Sequence, residues 1–269
     1  MTFPTNSDNR YFSLDGYRAL VTRARTEGYR ITTFANFAPP SDAPVLLLRH
    51  DLDGPLRGAR EMAELEATLG ISATYFVQTA GDFYNLLSKS SRAFVRQLVA
   101  LGHEVGLHYE ASRYLEDGER ALQADLRLLE DLAGRRILSA SQHLPVDADA
   151  VDIARHVANE AYAPRFTAPP LTYISDSLMA WREATPHDLI DRRASFQLLT
   201  HPETWCGPYA NMGDALDGMM DEEQRELRAR YGDVRAYYLE LLATRAERDR
   251  RFRERQAQPP RALASPTDD

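Results

Sequence analysis

Residues 45–55, VLLLRHDLDGP, join a short apolar run to a group of charged side chains. A continuous apolar run of this length is typical of a strand that is buried on both faces, as in a parallel sheet. The run ends in the segment DLDGP, and a proline in this position is well placed to begin a helix. The stretch therefore predicts a buried strand, a polar strand end and a helix in direct succession.

The alternation of strand and helix continues on both sides of this stretch. One helix is predicted before it, over residues 15–28, and another after it, with Gly70 as its stop. Further strands are predicted at residues 71–77, 103–108, 137–143 and 195–201, and further helices at residues 91–101 and 117–132. A regular succession of strand, helix and strand implies parallel pairing with right-handed crossovers, so the predicted fold class is α/β.

Length and composition favour one domain. The chain has 269 residues, of which 43% are hydrophobic, and this is sufficient for one large core. The interior contains no linker rich in proline, glycine and serine, and no internal repeat. We therefore expect a single domain over residues 1–256 and a disordered tail over residues 257–269.

Charge and cysteine content argue against several classes of protein. A formal charge of −8 is unsuited to a nucleic-acid surface, which needs clustered positive charge. Cys206 is the only cysteine, so no intramolecular disulfide can form and nothing indicates an oxidising compartment. The N-terminus lacks the apolar core of a signal peptide, and no apolar run approaches the ~20 residues that span a bilayer. The cytoplasm is therefore the expected location.

A long helix is predicted from residue 221 to about residue 256. Its apolar residues repeat at alternating spacings of four and three and form one stripe on a charged helix. The stripe consists of Leu227, Tyr231, Val234, Tyr238 and Leu241. Two interpretations are open: the stripe packs on the rest of the domain, or it pairs with a second subunit and forms a homodimer.

Polar residues stand at the ends of the predicted strands. His50-Asp51, His108, His143 and His201 each follow an apolar strand. In parallel α/β folds, ligands collect at the carboxyl ends of the strands. A single histidine at such a place is more often hydrogen-bonded scaffolding than a ligand, and His103 is expected to have that structural role. Three histidines on separate strands, with an aspartate pair on a fourth, instead indicate a functional site.

The aspartate pair favours a metal ion. Asp51 and Asp53 are two residues apart, so in a continuing strand both carboxylates point to the same side. Carboxylates together with neutral imidazoles are a normal ligand set for zinc or a similar divalent ion. The alternative is that DLDGP is only a turn, since aspartate and glycine favour turns. Glu110, two residues after His108, is either a further member of the site or a solvated surface residue.

Several motifs, in order, resemble a branch of the polysaccharide-deacetylase (NodB-homology, carbohydrate esterase) superfamily. LRHDLD at residues 48–53 is similar to the RHDVD signature of that branch, and GHEVGLHY at residues 102–109 to its GHEIGLHY stretch. Shorter matches are SATYF at residues 72–76, SQHLP at 141–145, SDS at 175–177 followed by WR at 181–182, and LTHP at 199–202. The resemblance spans residues 45–205.

The resemblance implies a distorted (β/α) barrel of about seven parallel strands, to which the long C-terminal helix is added. It also implies metal-assisted hydrolysis of an acyl amide, usually an acetyl group on an amino sugar. By position in the motifs, Asp51 is the general base and His201 the general acid, while Asp53 and His108 are metal ligands. The residues expected to bind substrate are His50, Tyr109, Glu110, Trp181 and Arg182.

This sequence departs from the family pattern in two places. Ser112 stands where the family has a second metal-binding histidine, and the usual adjacent Asp-Asp pair is spread to Asp51-Leu52-Asp53. We expect His143 to complete the ligand set of a zinc-like divalent metal, which leaves one coordination position open. Because of the second departure, the sequence does not distinguish which of Asp51 and Asp53 is the general base and which is the metal ligand.

The expected function is removal of an acetyl group from an amino sugar in a polysaccharide or its precursor. A cytoplasmic precursor in cell-surface polysaccharide biosynthesis is favoured, because an enzyme acting on finished wall polymer should be exported. Two alternatives remain open. One is a metal-free amidohydrolase acting on a small amide, and the other is a non-catalytic carbohydrate-binding or assembly protein with the same barrel.

Overall fold

The computed structural model describes residues 12–116, 118–145 and 151–257. The strands in these residues are β1 (Arg30–Thr32), β2 (Val45–Leu52), β3 (Thr74–Gln78), β4 (Glu104–Glu110), β5 (Ser139–His143), β6 (Asn159–Glu160), β7 (Leu171–Ser175) and β8 (Ser195–Thr200). The α-helices are α1 (Leu14–Thr26), α2 (Leu56–Thr68), α3 (Lys89–Ala100), α4 (Gly118–Ala133), α5 (Pro164–Thr167), α6 (Pro186–Asp191), α7 (Met212–Ala243) and α8 (Arg245–Gln256).

The strands form one parallel sheet that curves into a half-barrel. Seven strands follow one another in the order β6-β5-β4-β3-β2-β8-β7, and β1 pairs with the first residues of β2. The predicted α/β fold of about seven parallel strands with a long C-terminal helix is confirmed. Strands β1, β6 and β7 were not predicted, because they lack a long apolar run.

Strand β2 is buried along its whole length and has two different faces. Leu46 and Leu48 belong to the larger core cluster, which also contains buried residues of helices α1 to α4. Leu47 belongs to a second cluster. Its other members are Phe34, Phe76, Ala161, Phe166 and Leu171. Because successive side chains of a strand point to opposite faces, Asp51 lies on the Leu47 face and His50 on the Leu46 face.

Helix α2 approaches the turn after β8 so closely that glycine is required. A Cβ atom on Gly58 would lie 2.6 Å from the carbonyl oxygen of Pro202. A Cβ atom on Gly54 would lie 2.8 Å from Cγ of Glu203. Gly54 and Gly58 thus allow the loop after β2 and the start of α2 to lie against the turn after β8, and both loops carry site residues.

Residue contacts divide the chain into two compact units, Met1–Met219 and Met220–Asp269. The first unit contains the entire sheet. The predicted domain, residues 1–256, stays a prediction, and of its predicted disordered tail all but residue 257 lies outside the described residues. None of the described helices has the length and apolar character needed to cross a bilayer.

The predicted C-terminal helix begins earlier than expected and consists of two parts. Helix α7 starts at Met212 and ends at Ala243, and α8 starts at Arg245. Four residues of the predicted apolar stripe are exposed, with exposed fractions between 47% and 69%. They are Leu227, Tyr231, Val234 and Tyr238. A homodimer through this helix stays a prediction.

Candidate active site

The ends of three strands bring together a potential metal site. Asp53 follows β2, His108 lies in β4, and His143 is the last residue of β5. One ligand atom from each residue lies within 4.8 Å of the others. Oδ1 of Asp53 is 2.9 Å from Nε2 of His108 and 3.2 Å from Nδ1 of His143. These are the three residues that the sequence predicts as ligands, and their function as ligands remains a proposal.

The tautomer of His108 indicates whether this group suits a cation. Its Nδ1 lies 2.9 Å from the carbonyl oxygen of Ser141, which can only accept, so Nδ1 carries the proton. Nε2 is then the ring nitrogen that can bind a cation, and it is buried without a hydrogen bond. It lies 2.9 Å from Oδ1 of Asp53, so a cation bound here would contact both groups. The donor set therefore fits a divalent metal.

The aspartate and the histidines of this site shift each other's pKa toward the charged forms. Burial alone would raise the pKa of Asp53, but His108, His143 and His201 lower it far below its usual range. The pKa of His143 is raised, chiefly by its hydrogen bond with Asp53. Gln78 donates a further hydrogen bond of 2.9 Å to Oδ1 of Asp53. Asp53 is therefore a carboxylate at neutral pH, as a metal ligand must be.

Asp51 lies beside the three candidate ligands and is paired with Arg49. The guanidinium donates to both carboxylate oxygens, at 2.9 and 2.8 Å, and both side chains are buried. Although burial raises the pKa of Asp51, Arg49 outweighs it and the pKa falls below its ordinary value. The Arg49 guanidinium also stacks 4.3 Å from the Tyr162 ring centroid. Oδ2 of Asp51 lies 3.7 Å from Nε2 of His108.

His201 is held on the other side of the group by Asp176. Its Nδ1 donates to Asp176 at 2.6 Å, and its backbone N–H donates to the same carboxylate at 2.9 Å. Trp205 donates a third hydrogen bond, at 2.6 Å. Burial lowers the pKa of His201, but Asp176 more than compensates and the value rises to about 10. His201 is therefore protonated at neutral pH, and its Nε2 lies 3.5 Å from Asp53.

These residues line a cavity of about 520 Å³. Its wall also includes Arg182 and Glu203, and burial raises the pKa of Glu203 to about 8. The rest of the wall is largely apolar, with Leu144 and Leu178 on the loops after β5 and β7. Both leucines have positive φ angles, 50° and 60°, and are more than half exposed. The cavity thus combines charged groups with an apolar rim, as in many small-molecule sites.

Some predicted substrate-binding residues lie elsewhere. His50 is a correction: it is fully buried and hydrogen-bonded to Glu66 at 2.9 Å, on the opposite face of β2 from Asp51. Trp181 is another, because it does not line the cavity but stacks on Phe12 with ring centroids 5.6 Å apart.

Tyr109 and Glu110 follow His108 in β4 and are also outside the cavity wall. Tyr109 is buried and packs near Tyr114, with ring centroids 6.2 Å apart. Glu110 is exposed and accepts a hydrogen bond from Ser112. Of the residues predicted to bind substrate, only Arg182 lines the cavity that contains the candidate ligands.

Two important residues were not predicted, although both belong to quoted motifs. Arg49 is the arginine of RHDLD, and Asp176 is the central residue of the SDS segment. A buried arginine directly before an aspartate at a strand end is a signal for an ion pair. No comparable signal links Asp176 to His201, since they are far apart in sequence and meet only because β7 and β8 are neighbours.

No protein-family model and no curated protein matches the sequence. Several solved structures are similar to the chain. A CE4 family pseudoenzyme from Bacillus anthracis has 15% identity over 71% of this chain, with a TM-score of 0.41, and only 66% of its own length is covered. A family 4 carbohydrate esterase from the same organism has 13% identity, 77% and 86% coverage and a TM-score of 0.43. The peptidoglycan deacetylase PdaC from Bacillus subtilis, as a mutant, has 15% identity, 71% and 98% coverage and a TM-score of 0.38.

These structures are described as carbohydrate esterases or deacetylases, the superfamily whose motifs the sequence resembles. One of them is described as a pseudoenzyme.

Proposed function

We propose that this protein is a metal-dependent hydrolase that removes an acyl group, an acetyl group in the first instance, from an amino sugar. The observation that carries the proposal is the buried Nε2 of His108, which has no hydrogen bond and faces the carboxylate of Asp53, with His143 beside them. Most structural polar clusters satisfy such a nitrogen with a donor. Among the described residues Nε2 of His156 is also buried without a hydrogen bond, but its neighbouring carboxylate, that of Glu119, is 3.8 Å away and His156 belongs to no candidate ligand group. A ligand site keeps Nε2 of His108 available for a cation.

Asp53, His108 and His143 would hold the metal, and zinc is the ion that this ligand set suits best. When bound, such an ion supplies Lewis-acid stabilisation of charge on the amide oxygen and makes water more acidic. Three protein ligands leave a coordination position open, as catalytic sites require. Ser112, which replaces the second histidine of the family pattern, is exposed and bonded to Glu110 instead.

Asp51 is proposed as the general base. Arg49 holds its carboxylate ionised and fixes both oxygens, while Oδ2 stays within 3.7 Å of His108. Asp51 is almost completely buried, whereas 23% of the Asp53 side chain is exposed. Asp53 also has the shorter distances to the histidines, so the ligand role is given to Asp53 and the proton-accepting role to Asp51.

His201 is proposed as the general acid. The Asp176 carboxylate keeps the imidazole protonated and fixes its orientation, which leaves Nε2–H available to protonate the leaving nitrogen of an amide bound in the cavity. The amine product of amide hydrolysis leaves readily only if it is protonated. A base and an acid on two sides of one cavity therefore match the requirements of amide cleavage.

The substrate of this proposal is an acetylated sugar, or a polysaccharide precursor in cell-surface polysaccharide biosynthesis in the cytoplasm. The volume of the open cavity, about 520 Å³, supports this choice of substrate because it suits a monosaccharide unit. Apolar side chains at its rim, including Leu144 and Leu178, offer surface for the face of a sugar ring.

The test combines metal analysis with acetate release. Protein purified without chelator or histidine tag is compared with an Asp53→Ala, His108→Ala double variant and with His156→Ala as a control. About one equivalent of transition metal in the wild type and the control, and none in the double variant, is expected. Acetate release from N-acetylglucosamine oligomers or a nucleotide-linked N-acetylamino sugar should follow the metal content. Activity without metal would favour a metal-free amidohydrolase, and sugar binding without metal or turnover would favour a non-catalytic binding protein.

A further inference from the structure

A second cavity, of about 490 Å³, runs along strand β7. Four consecutive β7 residues line it, from Thr172 to Ser175, together with side chains from the segment before α6 and from the end of that helix. Tyr173 and Arg182 line both this β7 cavity and the cavity that contains His201. The β7 cavity is therefore an extension of the candidate active site.

Two arginines with no bound partner line the β7 cavity. Within the described residues, the guanidinium group of neither Arg182 nor Arg192 makes a hydrogen bond or an ion pair. The Asp188 carboxylate, one turn before Arg192, already accepts hydrogen bonds from the backbone and the hydroxyl of Thr185, at 2.9 and 2.8 Å. Other surface arginines behave differently; Arg23, for example, pairs with Asp191.

The wall of the β7 cavity carries a net positive charge, whereas the chain as a whole is negative. The chain carries a formal charge of −8, yet Arg182 and Arg192 outnumber the single acidic residue in the wall, Glu183. Guanidinium groups bind phosphate through two parallel hydrogen bonds, and they are more weakly hydrated than ammonium groups. The hydroxyls of Thr172 and Tyr173 add polar groups to the wall. The preferred occupant is thus a compact anion with several oxygens.

We propose that the β7 cavity binds the phosphate groups of the substrate, so that the acetylated amino sugar enters the site as a phosphate ester, a sugar phosphate or a nucleoside diphosphate sugar. Arg182 lies at the junction and contacts the phosphate nearest the sugar, while Arg192 contacts the more distant one. This inference rests on the proposed function. It names the substrate class for the same site.

The first test is binding of inorganic pyrophosphate, measured by calorimetry. Arg182→Gln and Arg192→Gln should each weaken binding by about tenfold or more, because each removes a charge-assisted contact. Glu183→Gln should strengthen binding severalfold, because it removes the only negative charge of the wall. Arg127→Gln is the matched control: Arg127 is an exposed arginine of α4, and its loss should leave the affinity unchanged.

A bound metal could also attract pyrophosphate, so the titration is repeated with a His108→Ala, His143→Ala variant. Binding that persists there and stays sensitive to Arg182→Gln supports the β7 cavity. Binding that disappears in this variant, or that is indifferent to both arginines, would overturn the proposal. So would the absence of any binding heat at millimolar concentrations of pyrophosphate.

The form of the phosphate is found by comparing orthophosphate, uridine diphosphate, UDP-N-acetylglucosamine and N-acetylglucosamine in the same assay. Preference for orthophosphate over the diphosphates indicates a sugar monophosphate, and the reverse indicates a nucleotide sugar. N-acetylglucosamine binding as tightly as its UDP derivative would contradict the proposal. Because none of these titrations measures turnover, a protein that binds pyrophosphate through both arginines but releases no acetate would contradict only the proposed hydrolase function.

Discussion

Two clusters of histidine and carboxylate occupy opposite faces of strand β2. The front cluster, on the concave face, consists of Asp53, His108, His143 and His201. The back cluster, between the sheet and the helices, consists of Tyr17, His50, Glu66, Tyr75 and His103. Residue types alone do not separate them, since both combine imidazoles with a buried or partly buried carboxylate.

The difference lies in how completely the polar atoms are satisfied. Glu66 is fully buried and accepts hydrogen bonds from Tyr17, from Tyr75 at 2.6 Å and from His50 at 2.9 Å. His103 bonds the carbonyl oxygen of Ala63 at 3.1 Å, which agrees with the structural role predicted for it. The front cluster instead leaves Nε2 of His108 without a hydrogen bond, beside an open cavity. The satisfied cluster stabilises the fold, whereas the front cluster keeps a polar atom that a ligand can contact.

The largest expected effect on stability comes from the back cluster. Glu66→Ala would leave two tyrosine hydroxyls and the His50 N–H buried without an acceptor, because Glu66 is their common partner. We expect the free energy of unfolding to fall by about 3–5 kcal/mol, measured by chemical denaturation. Glu64→Ala is the control, since Glu64 lies on the exposed side of the same helix. A loss below about 1 kcal/mol would mean that water replaces the carboxylate and that the two clusters are less different than proposed.

The sequence predicts the front cluster better than it predicts the separation of the two clusters. Parallel strand ends must meet at one edge of the sheet, so Asp53, His108 and His143 could be grouped from the pattern alone. Strand alternation also requires His50 to point away from Asp51, and its prediction as a substrate-binding residue disregarded that rule. Motif position does not reveal which way a side chain points.

The sequence also does not show which side chains become partners when distant segments of the chain pack together. Arg49 could have been assigned to Asp51 from proximity in the strand, but the Asp176–His201 pair depends on the pairing of β7 with β8. The first of these strands was not predicted. Only two of its five residues are buried, because β7 is an edge strand, so it carries no continuous apolar signal.

The next largest effect concerns proton transfer in the front cluster. Asp176→Asn removes the charge that keeps His201 protonated, so kcat should fall by about a hundredfold, or about 2.7 kcal/mol in the barrier. The pKa of His201 falls from its raised value of about 10. Since the acid form is lost as pH rises through this pKa, the alkaline limb of the rate profile should move to lower pH.

The pH–rate profile of acetate release measures both effects. Asp191→Asn, on the surface of α6, is the control and should preserve the profile. An unchanged alkaline limb in Asp176→Asn would show that another group supplies the proton, and Glu203 in the same cavity would be the next candidate.

A smaller effect is expected when one ligand of the front cluster is removed. His143→Ala should weaken metal binding by about tenfold or more, about 1.4 kcal/mol, as measured by competition with a chromogenic chelator. The unfolding free energy of the metal-free protein should change by less than about 1 kcal/mol, because 27% of the His143 side chain is exposed. Unchanged metal affinity would remove His143 from the ligand set. A large loss of stability would mean that His143 stabilises the fold, as the residues of the back cluster do.

The smallest expected effect tests whether the clusters act independently. Thr200 lies directly before His201, and its hydroxyl is 2.6 Å from Nδ1 of His50. Nε2 of the same ring donates to Glu66, so both ring nitrogens of His50 are hydrogen-bonded. Thr200→Val keeps the shape of the side chain and removes this bond, so we expect a loss of about 1 kcal/mol in unfolding free energy and no change in metal affinity or in the alkaline limb. A shift of either property would mean that the back cluster positions His201 through the end of β8, and that the division into a stabilising face and a reactive face is incomplete.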